Sequence, residues 1–336
     1  VRARILEGEQ GIGESVALLR AGEVVALPTE TVYGLAGDAF QPLALARIFE
    51  AKGRPLSDPL IVHLPEAGWL ERVVRFQSLE QSSVVMELAS ALWPGPLTLL
   101  LPKREDLPEL VTAGSSKVAV RITSHPLFQE VLRRLDSPLA APSANRFGRI
   151  SPTSAVDVRI ELGEKILAIL DGGPCQHGME STIVEVVKEG LRILRPGPIS
   201  EDQIKKYGHI IPVSGIVNTP GSLPGHYAPA KHLHILKKDI LGLAPDPKAA
   251  LLAFSMPPAE LLQGFAAVEV LSPGGDLREA AANFYGALRR LDNSKADIIW
   301  AESLPEQGIG IAVMDRMRRS SYGSTTSASS HQGGTS

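Results

Sequence analysis

Apolar residues recur at helical spacing over 13–20 and then run together over 23–27, ending at Pro28. That pattern predicts a helix stopped by Gly22 and then a buried strand. The alternation continues along the chain. Helices are expected over 43–51, 79–92 and 125–135, the last with Pro126 at its start. Ser151 and Pro152 read as the cap and first turn of another helix reaching 162. Apolar runs over 60–64, 97–101, 118–122, 138–141, 166–170, 182–187 and 191–194 read as strands. The last two are separated by only a short turn at 188–190, so the sheet cannot be wholly parallel. A mixed α/β sheet is expected for residues 1 to about 200.

The pattern stops at 211–231, IPVSGIVNTPGSLPGHYAPAK, which holds four prolines, three glycines and no periodicity. Proline stiffens such a linker. Beyond it, HLHIL, ALLAF, VEVL and 296–300 read as strands alternating with helices over 276–291 and 310–319. This predicts a small open α/β domain. From Ser320 the tail SSYGSTTSASSHQGGTS has no apolar face to bury, and disorder is expected. The expected organisation is a catalytic domain at 1–205, a linker at 206–231, a small domain at 232–319 and a tail at 320–336.

Composition narrows the classes without selecting one. The 336 residues carry 34 basic and 37 acidic side chains, a net charge of -3 that advertises neither nucleic acid nor membrane. No apolar run is long enough to span a bilayer. The single cysteine, Cys175, excludes an intrachain disulfide and fits a reducing cytoplasm. The chain has no Gly-Lys dipeptide and so no Walker-type phosphate loop. GIGES and GIGIA lack the third glycine of a dinucleotide fingerprint. His226, His232 and His234 have no carboxylate or cysteine cluster beside them and read as strand or loop histidines; no metal site is expected.

The residues that suit chemistry lie where strands end, the usual ligand crevice of open α/β sheets. In AKGRPLSDPLIVHL, Lys52 and Arg54 flank Gly53 on a stiff turn. They read either as solvated loop charges or as an ammonium and a guanidinium aimed at one phosphate. PTETVYGLAGDAF (28–40) puts Thr29, Glu30, Thr31 and Tyr33 in a polar strand-to-helix connection. APSANRFGRISPT (141–153) offers Ser143, Asn145 and Ser151 with Arg146 and Arg149 interleaved. Arg121 ends the strand KVAVR and Arg195 ends LRILR before a Pro-Gly-Pro turn. Four cations could thus converge on an anionic ligand in a slightly acidic protein.

Taken together, PTETVYGL, KGRP with DPLIVHL, WPGPLTLLL, VAVRI, PSANRFGRISPT, ESTIVEV and ILRPGPI resemble the threonylcarbamoyl-AMP synthase family, closely over residues 11–200. GHYAP with a small second domain is similar to its two-domain form. The resemblance implies a YrdC-like twisted mixed sheet with an open concave cleft, plus a small Rossmann-like domain. It implies synthesis of L-threonylcarbamoyladenylate from L-threonine, bicarbonate or CO2, and ATP with Mg2+, releasing pyrophosphate. The product would supply a downstream transferase complex that modifies adenosine 37 of tRNAs reading codons that begin with A, and a direct tRNA contact is left open. By the same resemblance, Lys52 and Arg54 are the catalytic cations on ATP's phosphates. Asp58, Lys117, Ala141, Ser143, Asn145, Ser151, Arg195 and Tyr227 are nucleotide contacts, and Thr31, His63, Arg121 and Ser181 surround threonine. Asp58 stands where the family often has Asn, which leaves sugar, donor or Mg2+ as its contact. Lys117 stands where Thr is common, so its contact is expected through backbone. Residues 212–230 are expected to act as a lid with Tyr227 as its contact. The competing reading is a non-enzymatic RNA-binding module; with aromatic residues at 5%, stacking platforms are scarce.

Overall fold

The structure, a computed structural model, describes residues 2–213, 219–221, 226–236, 240 and 243–322. The chain forms two compact units, one of Val1–Phe147 with Ser151–Ser222 and one of Gly148–Ile150 with Leu223–Ser336.

Among the described residues, the first unit holds ten strands: β1 (Arg4–Leu6), β2 (Val25–Leu27), β3 (Gly34–Asp38), β4 (Ile61–His63), β5 (Leu97–Pro102), β6 (Lys117–Arg121), β7 (Leu139–Ala140), β8 (Ala168–Leu170), β9 (Thr182–Val187) and β10 (Gly190–Arg195). They form one sheet in the order β1-β8-β2-β3-β7-β4-β6-β5-β9-β10. The sheet is mixed, as its hairpin spacing requires: β4 and β6 are parallel, β5 and β6 antiparallel, β5 and β9 parallel, β9 and β10 antiparallel. Helices cover it because each presents an apolar stripe. Pro126–Leu135 buries Phe128, Val131, Leu132 and Leu135, one helical face. Leu79–Leu92 begins at Ser78, whose side chain accepts from the Gln81 amide.

Two local expectations change. Residues 34–38 form a strand antiparallel to β2, with Leu27 opposite Gly34, so 28–33 is a turn between two paired strands rather than a strand-to-helix link. GLAGD has little intrinsic β preference; burial between β2 and β7 overrides it. The helix after residue 151 starts later, at Ala155, and its cap is Ser154, which forms a reciprocal capping box with Asp157. Ser151 instead donates to Glu180 Oε1 at 2.6 Å. Ser154→Ala should therefore cost about 1 kcal/mol by urea unfolding, and Ser151→Ala should leave helix capping intact.

In the second unit, β11 (His232–Ile235), β12 (Ala249–Ala253), β13 (Ala267–Val270) and β14 (Ile298–Ala301) form a wholly parallel sheet in the order β11-β14-β12-β13. The helix Leu277–Asp292 is capped by Asp276, whose side chain accepts from the Arg278 and Glu279 amides. The last helix, Gly310–Tyr322, runs past the expected start of the tail. Ser320 is buried there, and its hydroxyl bonds the Tyr227 and Arg316 carbonyls. The expected disorder from 323 onward lies outside the described residues. Among the described residues, no helix is long and apolar enough to cross a membrane.

Candidate active site

Register builds the centre of the first unit's site. Arg121 on β6 pairs with His63 on β4 and with Thr98 on β5. Residues directly opposite in a sheet share a face, so the three side chains form one row. The turn after β2 meets this row: Arg121 Nη1 donates to Thr31 Oγ1 at 2.8 Å. Thr29 ties that turn together, its Oγ1 accepting from the Thr31 and Val32 amides at 3.1 Å each. Ser181, just before β9, closes the other side with Ser181 Oγ 2.7 Å from Thr98 Oγ1. Arg195 fixes Ser181 by donating from Nε and Nη2 to its carbonyl at 3.0 and 2.9 Å and from Nη2 to its hydroxyl at 3.1 Å. Gly197 is needed for this approach, because a Cβ there would sit 2.5 Å from the Thr182 amide nitrogen. The expected threonine-side set, Thr31, His63, Arg121 and Ser181, is thus brought together.

The charges around this row are set by burial and by one another. His63 stacks on Phe128 with centroids 4.7 Å apart. Burial, then the neighbouring Arg121 charge, pushes its pKa down to about 3, so the ring is neutral at physiological pH. Glu30 is buried 2.7 Å from Arg121 Nη2. Burial opposes its ionisation, but the charge of Arg121 and a hydrogen bond from the Thr123 hydroxyl outweigh it and hold the carboxyl below its ordinary value. Half-buried Cys175 is no nucleophile at neutral pH, since burial pushes its thiol up to about 12.

The loop cations sit beside this pocket. Lys52 is the last residue of the helix Pro42–Lys52, and Gly53 turns the chain there in a left-handed C-cap (φ 60). Lys52 is 3% exposed, and its ammonium donates to the Ser143 and Asn145 carbonyls at 2.6 and 2.5 Å. The same loop reaches the β2–β3 turn, where the Ala144 amide donates to the Tyr33 carbonyl at 2.8 Å. Burial and the adjacent Arg54 charge lower the Lys52 pKa well below an ordinary lysine, with Asp58 and Glu161 acting in the opposite direction. Arg54 donates to the Asp58 and Pro59 carbonyls at 3.0 and 2.7 Å and pairs with Asp58 Oδ2 at 2.9 Å. Neither cation is a solvated loop charge. Fully buried Asp58 is the counter-charge that shapes the Arg54 loop, which accounts for an acidic residue beside a cation.

Other expected residues have different surroundings. Ala141 is buried, its amide donating to the Ile61 carbonyl. Asn145 Nδ2 donates to the Arg146 carbonyl at 2.8 Å. The Lys117 ammonium pairs with buried Glu185, and its backbone amide donates to Ser115 Oγ at 3.1 Å. Tyr227 belongs to the second unit, where its ring lies 5.8 Å from Tyr285 and 5.3 Å from the Arg316 guanidinium. Of the expected lid 212–230, residues 214–218 and 222–225 lie outside the described residues. Sequence reasoning missed Thr98, hidden in the apolar run LTLLL. It noted Glu30 for its place after a strand but could not see its partners, Arg121 and Thr123, which are distant in the chain.

A family model described as Telomere recombination matches residues 17–197, and one described as Threonylcarbamoyl-AMP synthase, C-terminal domain, matches residues 199–321. Threonylcarbamoyl-AMP synthase of Pyrococcus abyssi is 36% identical over 336 residues, covering 96% of this chain and 96% of that protein. The Bacillus subtilis protein of the same name is 38% identical over 326 residues, covering 93% of each. The crystal structure of P. abyssi Sua5 complexed with L-threonine matches with a TM-score of 0.86 at 34% identity, covering 96% of this chain and 98% of that one.

Proposed function

The chain belongs to the threonylcarbamoyl-AMP synthase family, and from that membership we propose how its residues divide the work. The reaction is formation of L-threonylcarbamoyladenylate, a nucleotidyl transfer from ATP that releases pyrophosphate. The product hands its threonylcarbamoyl group onward for modification of tRNA adenosine 37.

The observation that carries the division is the buried row His63–Arg121–Thr98, closed by Thr31 and Ser181 and set beside the Lys52 and Arg54 loop. Arg121 receives the α-carboxylate of threonine, the planar partner a guanidinium suits best. Neutral His63, Thr31 and Ser181 offer hydrogen bonds without a further charge. The deprotonated amine adds to CO2 with loss of a proton, or to bicarbonate with loss of water, to give a carbamate. A carbamate oxygen then attacks the α-phosphorus in line with departing pyrophosphate. Little covalent work falls to the protein, so positioning and charge neutralisation by Lys52 and Arg54 carry the rate. Ala141, Ser143, Asn145, Ser151 and Arg195 frame the nucleotide side. Among the described residues, no group of three or more His, Cys, Asp or Glu could hold a metal ion, and Asp58 is committed to Arg54. Mg2+ therefore fits as the counter-ion that ATP carries on its own phosphates.

The test is pyrophosphate release from ATP and Mg2+ with single amino acids, with and without bicarbonate. Release that requires threonine and bicarbonate together is expected. Salt-sensitive tRNA binding with no pyrophosphate release under any combination would instead favour the RNA-binding module.

A further inference from the structure

The pocket holds a second buried charge that the reaction as described does not use. Glu30 and Arg121 are each anchored by other atoms: Glu30 Oε2 accepts from the Thr123 hydroxyl, the Glu30 carbonyl accepts from the His177 amide at 2.8 Å, and Arg121 Nη1 donates to Thr31. Toward each other they make a contact of 2.7 Å, but it lacks hydrogen-bond alignment. Glu30 Oε1 and Arg121 Nε and Nη2 are all buried, and none has a hydrogen-bond partner among the described residues. A carboxylate placed only to neutralise an arginine would be expected in the aligned, two-pronged arrangement, which is the strong one. Here a cation and an anion face each other as an unaligned pair at a buried site whose neighbouring side chains His63, Thr31, Thr98 and Ser181 are neutral.

We propose that Glu30 is the residue that receives the α-ammonium of the amino-acid substrate, so that Glu30 and Arg121 together recognise a zwitterion. The assignment rests on the reading of this pocket as the threonine site. A zwitterionic α-amino acid carries its two charges on adjacent carbons, and a cation and an anion in contact match that spacing. When substrate enters, each protein charge exchanges a poorly aligned neighbour for an aligned one, so the pair is separated without leaving either charge bare. Glu30 thereby excludes hydroxy acids and simple carboxylates that Arg121 alone would accept. It acts in binding; the amine still has to lose its charge before it attacks carbon.

The experiment is calorimetric titration of the full chain with L-threonine and, by displacement of threonine, with 3-hydroxybutanoate, which keeps the carboxylate and hydroxyl but lacks the amine. For Glu30→Gln, threonine affinity should fall roughly 10- to 100-fold, the range for hydrogen bonds to charged groups. Affinity for 3-hydroxybutanoate should hold or rise, because the carboxylate that excludes it is gone and no charged hydrogen bond to it has been lost. Glu30→Asp, which keeps the charge, should recover part of the loss. An equal fall for both ligands would show that Glu30 only orients Arg121 and would overturn the proposal, as would no fall for threonine. Absence of threonine binding to the unaltered protein would instead remove the underlying reading of the pocket, a result seen before any variant is compared. If Glu30→Gln does not fold, Glu30→Asp and the unaltered protein decide: equal affinity of the unaltered protein for the two ligands overturns the assignment.

Discussion

Lys52→Ala is expected to lower kcat/KM for pyrophosphate release by about 100- to 1000-fold, the size of effect seen when one preorganised donor at a developing charge is removed. The side chain acts twice. On the proposed reading its ammonium, next to Arg54, is half of the charge set for ATP's phosphates; it also holds the Ser143 and Asn145 carbonyls that shape the neighbouring loop. Lys52→Arg separates the two roles: it keeps the charge but cannot seat a compact ammonium between two carbonyls, so recovery should be partial. A fall of less than about threefold in Lys52→Ala, well short of a preorganised donor's worth, would remove Lys52 from the chemistry. The pH dependence has a definite sign. Burial and Arg54 depress the Lys52 pKa, and phosphate binding needs the protonated form, so ATP affinity should weaken on the alkaline side at a lower pH than an exposed lysine would give. Because the unfolded chain holds that proton more tightly, stability contributed through Lys52 should rise with pH between its folded and unfolded pKa values.

Arg121→Met should abolish measurable threonine binding and also destabilise the protein by about 3–5 kcal/mol, the cost of breaking a buried ion pair from one side. The destabilisation comes mostly from Glu30, left buried and ionised without its partner. Combining Arg121→Met with Glu30→Gln should restore much of the stability, read by urea unfolding at pH 7, while threonine binding stays lost. A double variant no more stable than Arg121→Met alone would show that the loss lies in packing rather than charge. Glu30 also fixes the acid limb. In the unaltered protein its folded pKa lies below the ordinary 4.5, so its contribution to stability is present at neutral pH and is lost as pH falls through that lowered value. In Arg121→Met burial is opposed only by the hydrogen bonds from Thr123 and the backbone, the Glu30 pKa rises, and the deficit should shrink as pH drops toward it.

The strands and helices with strong apolar periodicity were legible from the chain alone: 79–92 and 182–187 fall where the pattern puts them. β3 was not, because Gly34, Ala36 and Gly37 give no strand signal and the segment is extended only through its neighbours on both sides. The helix cap moved from Ser151 to Ser154 for a similar reason. Both serines suit a cap, and the choice is made by Asp157 completing the box from within the helix while Glu180 engages Ser151 from a distant segment.

At the site, residue types and motif order were enough to indicate an anion-handling α/β protein of this family, since hydroxyls, cations and small residues at strand ends are local features of a sequence. What those residues touch was decided by the fold. Of the two readings of Lys52 and Arg54, the solvated one gave way to two buried charges fixed on loop carbonyls, and Asp58 became Arg54's partner. His63, Thr98 and Arg121 became one row only through strand register, and Glu30 gained its importance only when Arg121 arrived beside it. Local propensity is written along the chain, whereas the burial, pairing and ionisation of a side chain depend on atoms brought to it from remote positions.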